Sequence, residues 1–261
     1  MQAPIYQVDA FASRVFAGNP AIVCCLTEWL DDGLLTAIAA EHNVSVAAFL
    51  VERGEEFEIR HFMPTGELPL VGHASLAAAH VVLRILRPHL SKAVLRRTTG
   101  TLIVSRLSDR LLAIQLPVVQ SRVCPPPAGL GAALGVPFSE VRASDSQYFV
   151  LLESEAAVSS VVPDMHRLMQ LDRDGVIVTA RGDRCDFVSR AFAPKEGLPE
   201  DPVCGSAHLS LVPYWSDRLG RTEHRAIQLS PRGGELHCSL QGNEVRLAGE
   251  CALYMEGALH I

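Results

Sequence analysis

No stretch of the 261 residues approaches the roughly 18 consecutive apolar residues that a bilayer-spanning helix needs, so a helical membrane protein is not expected. A basic face is also missing. The 23 Lys and Arg lie scattered among 29 Asp and Glu, the net charge is −6, and nothing resembles a nucleic-acid footprint. Seven cysteines, an odd number, show no C-x-x-C spacing. Neither a zinc site nor a disulfide framework is expected, and most cysteines read as small buried apolar residues. The chain opens on strand-like Ile5-Tyr6-Gln7-Val8 without a charged segment leading into an apolar one, which points to the cytoplasm.

What is present describes a packed globular protein. Apolar residues make up 48% and charged residues 20%, and the length suffices for two ordinary domains. Strands are expected at 4–9, 19–26, 46–52, 56–63, 101–107 and 111–116. A helix is expected over 31–42, where Leu34, Leu35 and Ile38 recur at helical spacing behind a polar start. A second helix opens at Gly72 and runs through Leu86. Pro117 and Pro125-Pro126-Pro127 flank the best boundary, because consecutive prolines continue neither helix nor central strand. This gives lobes of 1–117 and 118–261, with the last strand free to cross to the first lobe. Beyond the boundary, strands near 147–152, 175–180 and 186–192 precede a helix from Gly205. Strand-rich halves, each around one apolar helix, imply an α+β architecture.

The halves share a weak repeat. Phe62-Met63-Pro64 precedes Gly72-His73-Ala74-Ser75, and Phe192-Ala193-Pro194 precedes Gly205-Ser206-Ala207-His208. A Leu-Pro pair (68–69 and 198–199) falls in each intervening loop. Two related halves are the simplest explanation.

Both helix starts are small, so a ligand could approach their backbone, where unpaired N–H groups and the dipole favour an anion. The plainer reading is that glycine only permits a tight turn. Chemical groups gather there: His73 follows Gly72, while Asp201, Cys204, Ser206 and His208 fall within eight residues of one another. An imidazole and a carboxylate away from water could relay a proton. Against that, His73 reads equally as a core histidine, and Asp201 as a cap or turn residue before Pro202.

Several segments resemble the phenazine-biosynthesis PhzF-like isomerase family, in the family's order and over nearly the whole chain. They are Asp9-Ala10-Phe11, Gly18-Asn19-Pro20, Ala40-Glu41-His42-Asn43-Val44-Ser45, Pro69-Leu70-Val71-Gly72-His73-Ala74 and Glu200-Asp201-Pro202-Val203-Cys204-Gly205-Ser206-Ala207-His208. Pro213-Tyr214-Trp215 and Gln228-Leu229-Ser230-Pro231-Arg232-Gly233-Gly234 complete the set. The resemblance implies a diaminopimelate-epimerase-like fold: two similar lobes, each a curved mixed sheet wrapped around a central helix, with the site between them. It further implies cofactor-independent isomerisation of a small carboxylic acid without a metal, and a homodimer. His73 and Asp201 would assist proton transfer; Gly72, Gly205 and Ser206 would bind the substrate; Asn19 would line the site.

One departure matters. Where the family's motif carries its principal acid/base glutamate, this chain reads Asn43-Val44-Ser45-Val46-Ala47. Valine moves no proton, and a positioned base is worth about 10²–10⁴ in rate. Cys204 is the candidate replacement, since a cysteine before Gly-Ser acts as a base in the related proline racemases and a helix start lowers a thiol's pKa. The partner cysteine of a two-base racemase would fall at Val71. The alternative to an enzyme is a small-anion-binding or regulatory homologue that has lost turnover.

Overall fold

A computed structural model describes residues 2–261. In chain order the elements begin with β1 (Gln2–Ala10), β2 (Asn19–Leu26), α1 (Asp32–Glu41), β3 (Ala47–Arg53), β4 (Glu56–Met63) and β5 (Gly66–Leu68). They continue with α2 (Gly72–Val81), β6 (Lys92–Arg97), β7 (Gly100–Arg106), β8 (Leu112–Pro117), β9 (Arg122–Val123), α3 (Leu130–Leu134) and β10 (Glu140–Ala143). Next come β11 (Gln147–Leu151), α4 (Glu155–Ser160), α5 (Met165–Met169), β12 (Gly175–Arg181), β13 (Phe187–Ala193) and β14 (Leu198–Asp201). The last are α6 (Gly205–Leu219), β15 (Glu223–Gln228), β16 (Gly234–Gln241), β17 (Glu244–Gly249) and β18 (Cys251–His260). The chain divides into two compact units: residues up to Gln115 together with Ala248–Ile261, and Leu116–Leu247. The final strand therefore belongs to the first unit.

Each unit has the same pairing plan. In unit 1, β1 pairs antiparallel with β18 and β2; then β2–β3 is parallel, β3–β4 antiparallel, β4–β6 parallel and β6–β7 antiparallel, with β5 on β4. In unit 2, β10–β11 is antiparallel, β11–β12 parallel, β12–β13 antiparallel, β13–β15 parallel and β15–β16 antiparallel, with β14 on β13. The parallel pairs need crossovers, and helices supply them. The expected α+β class with two similar lobes is what the chain adopts.

Helix α1 starts where the Asp31 carboxylate accepts from Leu34 N–H at 3.1 Å. It stops at Asn43, whose φ of 50° is left-handed, a conformation asparagine tolerates better than most residues. Its Leu35, Ile38 and Ala39 pack on Ala47, Phe49 and Val51 of β3. Helix α2 is different, being buried at every position from His73 to Ala79. A helix without a polar face belongs inside its domain, and its small residues let strands approach closely. The expected helix over 72–86 is α-helical to Val81 and continues as a π-helical turn, Val82–Leu86.

Helix α6 carries Pro213, which has no N–H to give Leu209. The Leu209 carbonyl instead accepts from Val119 N–H at 3.1 Å, so the defect is satisfied within unit 2. Trp215 then fixes the helix: it stacks on Phe187 (5.7 Å, 4°) and donates Nε1–H to Thr179 Oγ1 at 3.1 Å. The wrapping is incomplete, because Asp217 and Arg218 reach solvent on the last turns of α6.

The structure corrects the register of the internal repeat. His61 lies opposite Leu68 in unit 1, and Ala191 lies opposite Asp201 in unit 2. With Phe62 matched to Phe192, Leu68 corresponds to Asp201 rather than to Leu198. Glu67-Leu68-Pro69-Leu70-Val71-Gly72-His73-Ala74-Ser75-Leu76 then matches Glu200-Asp201-Pro202-Val203-Cys204-Gly205-Ser206-Ala207-His208-Leu209 without a gap. The Leu-Pro pairing misled because Pro194–Glu196 forms a 3₁₀ turn with Gly197 left-handed, adding residues to the second loop. Strands β5, β6, β9, β10 and β14 and the short helices α3, α4 and α5 were not anticipated; most are too brief for a clear period.

Trp215→Ala should destabilise the protein by about 3–5 kcal/mol, since it empties a buried aromatic site and strands the Thr179 contact. Urea unfolding of both proteins checks this, and a loss under about 1 kcal/mol would contradict the anchoring role.

Candidate active site

The two helix starts are built alike. Each has a small strand (β5 or β14) hydrogen-bonded to the strand before it, a proline, and a glycine at the first helical position. In unit 1 the Arg60 guanidinium grips Glu67 with two bonds, at 2.9 and 2.6 Å. In unit 2 Arg190 grips Glu200 at 2.7 and 2.9 Å and also donates to the Val161 carbonyl at 2.7 Å. A bidentate guanidinium–carboxylate pair fixes geometry as well as adding energy. Because successive strand residues point to opposite faces, the Glu200 pair on one face of β14 sets Asp201 on the other.

Neither helix has a side-chain cap, and neither has an acidic residue in its first turn. Neither cap residue therefore offers a side chain to the first N–H groups, where the positive dipole end favours an anion. A methyl group placed on Gly72 would meet nothing within 4 Å, so the approach to that start is open.

The histidine and serine exchange places between the starts: His73 and Ser75 in unit 1, Ser206 and His208 in unit 2. At the fourth helical position each side chain turns back to the residue before the helix. Ser75 Oγ donates to the Val71 carbonyl at 2.8 Å and lies 2.9 Å from His61 Nε2. With its proton given to Val71, the hydroxyl accepts from His61 Nε2–H. His208 Nδ1 lies 2.8 Å from the Cys204 carbonyl, which only accepts, so Nδ1 carries the proton and Nε2 is a bare lone pair. At the second position, His73 is buried and its Nε2 has no hydrogen-bond partner. Burial lowers the pKa of His73 to about 4, so the ring is neutral at pH 7.

Cys204 and Ser206 meet, Sγ to Oγ, at 3.2 Å, with the Asp201 carboxylate beside the thiol. Burial, and then Asp201, push the thiol well up, and bonds from Ser206 and the Ala207 N–H do not offset this. Cys204 is therefore a thiol near neutral pH, which weighs against it as a base. Unit 2 thus gathers Asp201, Cys204, Gly205 and Ser206 in one turn.

In unit 1, Gly72 and His73 share an end with Asn19 and Val46. Asn19 is buried at the start of β2, and Gly18 before it has φ 66° and no room for a side chain, since a Cβ would lie 2.2 Å from the Ala10 carbonyl. Val46 is buried just before β3, and its carbonyl accepts from Ile22 N–H at 3.4 Å. Because His61 pairs with Ala48 and touches Ser75, Val46 lies at the α2-start end of its strand.

Sequence reasoning missed Arg60, His61, Arg190, Gln228 and Ser230. Only Gln228 and Ser230 carried a signal, a motif with no role attached. A cavity of about 660 Å³ in unit 2 lies along the flank of α6 against Glu140, Arg142, Tyr214 and Arg218, and holds none of the candidate residues. One of about 240 Å³ in unit 1 reaches His61, Pro69 and Arg97. Among the described residues, no three His, Cys, Asp or Glu side chains gather as metal ligands, and no helix is long and apolar enough to cross a membrane.

Two lobes of this plan define the epimerase-like fold: a hydroxyproline epimerase from Agrobacterium vitis aligns over 99% of this chain and 91% of its own with a TM-score of 0.62, at 10% identity. The family follows from closer matches. The phenazine biosynthesis-like protein model matches residues 8–257, and the chain belongs to that family. A PhzF-family protein of Enterococcus faecalis superimposes with a TM-score of 0.96 at 40% identity, covering 100% of both chains. An uncharacterized isomerase of Pseudomonas aeruginosa is 46% identical over 263 residues, 100% of each chain.

The buried histidines predict a pH dependence of stability. His61, His73 and His208 have folded pKa values lowered to about 3, about 4 and about 4. Their unfolded values lie near 6.5, so below that the unfolded chain binds protons that the folded one refuses. Stability is full at pH 7 and falls as the pH drops through 6.5, by about 1.4 kcal/mol per pH unit for each such histidine. Urea unfolding between pH 7 and 5.5 should show this slope, and His208→Leu should lower it by about one histidine's share of the three. An unchanged slope in the variant would locate the proton uptake elsewhere.

Proposed function

We propose that the chain is an isomerase or epimerase that moves a proton at carbon adjacent to the carboxylate of a small metabolite. The observation that carries this reading is the duplicated, uncapped helix start with a neutral, unpartnered His73 in one unit and Asp201 in the other. The N–H groups at Gly72 and at Gly205–Ser206 suit a carboxylate, each start favouring an anion by roughly 0.3–2 kcal/mol. Neutral His73 can accept or return a proton through Nε2, and Asp201 is the carboxylate available to act as base. Asn19 borders the substrate. Cys204 holds its proton and serves Ser206 as a neighbour. Relatives named as isomerases support the reaction class.

A second reading is favoured by Val46. A buried valine at the family's glutamate position leaves the site without its main proton carrier, so the chain would bind a small anion without turning it over.

Mass spectrometry of ligand released from the purified protein comes first, followed by solvent-deuterium incorporation into that compound and into L-proline and trans-4-hydroxy-L-proline. An isomerase incorporates deuterium, and Asp201→Asn lowers the rate by about 10²–10⁴. A binding protein retains the anion without incorporation, and Val46→Glu creates exchange. Turnover that survives both Asp201→Asn and His73→Asn would refute the assignment of these two groups.

A further inference from the structure

The turn from Asp201 to Gly205 presents the candidate acid and the helix start, yet none of its backbone is held by the sheet ladder after Asp201. Its support comes from the strand that follows α6. Gln228, fully buried at the end of β15, accepts from Cys204 N–H through Oε1 at 2.8 Å and donates Nε2–H to the Asp201 carbonyl at 2.6 Å. Two residues on, Ser230 Oγ donates to the Pro202 carbonyl at 2.6 Å. Three backbone groups of one turn are thus held by two side chains.

The base of this contact is rigid. Gln228 pairs with Gly234 across β15–β16, the Leu229 N–H donates to the Ser189 carbonyl at 2.8 Å, and Gly233 N–H closes a turn on Ser230. Only a side chain that accepts at one atom and donates at another can join an N–H to a carbonyl this way. A carboxylate only accepts, an ammonium only donates, and asparagine is one methylene shorter.

Unit 1 repeats the device with other chemistry. In the repeat register Arg97 stands where Gln228 does, since β4–β6 and β13–β15 pair in the same phase. Arg97 Nη1 donates to the Pro69 carbonyl, the counterpart of Pro202, at 3.0 Å. The same strand position thus reaches the equivalent turn in both units but at different backbone groups, the Asp201 carbonyl and Cys204 N–H in unit 2 and the Pro69 carbonyl in unit 1.

We propose that Gln228 is the positioning residue of the candidate site, its side-chain amide holding the Asp201–Cys204 turn in place. Its meaning for catalysis rests on the reading of Asp201 as a proton carrier; the holding of the turn does not.

Alkylation of Cys204 by iodoacetamide, read peptide by peptide in the mass spectrometer, tests this without a substrate. Protection is the alkylation rate of Cys204 in the guanidinium-unfolded chain divided by that in the native chain at the same pH. Wild type should be protected equally at pH 5.5 and 8. Gln228→Met, which keeps the volume and loses both hydrogen bonds, should lose at least about tenfold at both. Gln228→Glu should be protected at pH 5.5, where a buried carboxyl keeps its proton and carries the donor and acceptor of the amide, and lose protection at pH 8. Val178→Ala, a core change elsewhere in unit 2, controls for general loosening, and Cys238 serves as an internal reference. Wild-type protection in both Gln228 variants would overturn the proposal. So would equal loss in Val178→Ala at matched stability. Because no turnover is measured, a failed isomerase reading leaves this result intact, and failure here leaves that reading intact.

Discussion

The hinge of the structure is a backbone turn that the sheets do not hold. Each unit breaks its ladder after a short strand, passes through proline, and starts its central helix on glycine without a cap. Uncapped N–H groups are costly unless something meets them, and glycine leaves the end of the turn conformationally permissive. The fold answers with paired devices on either side. A bidentate Arg–Glu pair fixes the strand before the turn, at Arg60–Glu67 and Arg190–Glu200. A side chain from the strand after the helix fixes the turn itself, through Arg97 and Gln228. Neither helix N-terminus carries a side chain from its cap residue.

These devices explain why the central helices are so apolar. With the turn fixed from outside, α2 fills its unit with Ala, Leu and Val, Ser75 being the polar side chain that ties its first turn to Val71 and His61. α6 carries more function per residue. Trp215 sets its depth through Phe187 and Thr179, and Pro213 ties it to Val119. His208 spends its only proton on the Cys204 carbonyl, so the turn is held from the helix side as well.

Much of this was legible. Long strands with flanking punctuation, the Asp31–His42 helix and the two glycine starts follow from period and turn chemistry, because each is decided within a few residues of chain. The family motifs named the candidate residues, and His73, Asp201, Cys204 and Ser206 do stand at the two helix starts. The register of the repeat was not legible. Leu68-Pro69 and Leu198-Pro199 look alike in sequence, but strand pairing equates Leu68 with Asp201, and only β-ladder partners decide that. The buried state of Cys204 was equally hidden, since a helix start alone predicts a lowered thiol pKa while its surroundings push it up. Gln228 and His61 act over separations of 24 and 14 residues, beyond the reach of any local pattern.

The corrected repeat also shows how two equal halves became unequal. Where unit 2 has Asp201, unit 1 has Leu68; where unit 2 has the neutral amide of Gln228, unit 1 has the cation of Arg97. The neutral amide adds no charge beside Asp201 and bonds only its backbone carbonyl. A guanidinium in the matching place would neutralise it. In unit 1 the cation has no such acid to quench, and it adds to burial and to His73 in holding His61 neutral. His61 then meets Ser75 as a donor, Ser75 meets Val71, and His73 Nε2 has no hydrogen-bond partner among the described residues. The same backbone plan thus carries Asp201 before one helix start and His73 in the first turn of the other. Val46, buried just before β3, belongs to neither turn.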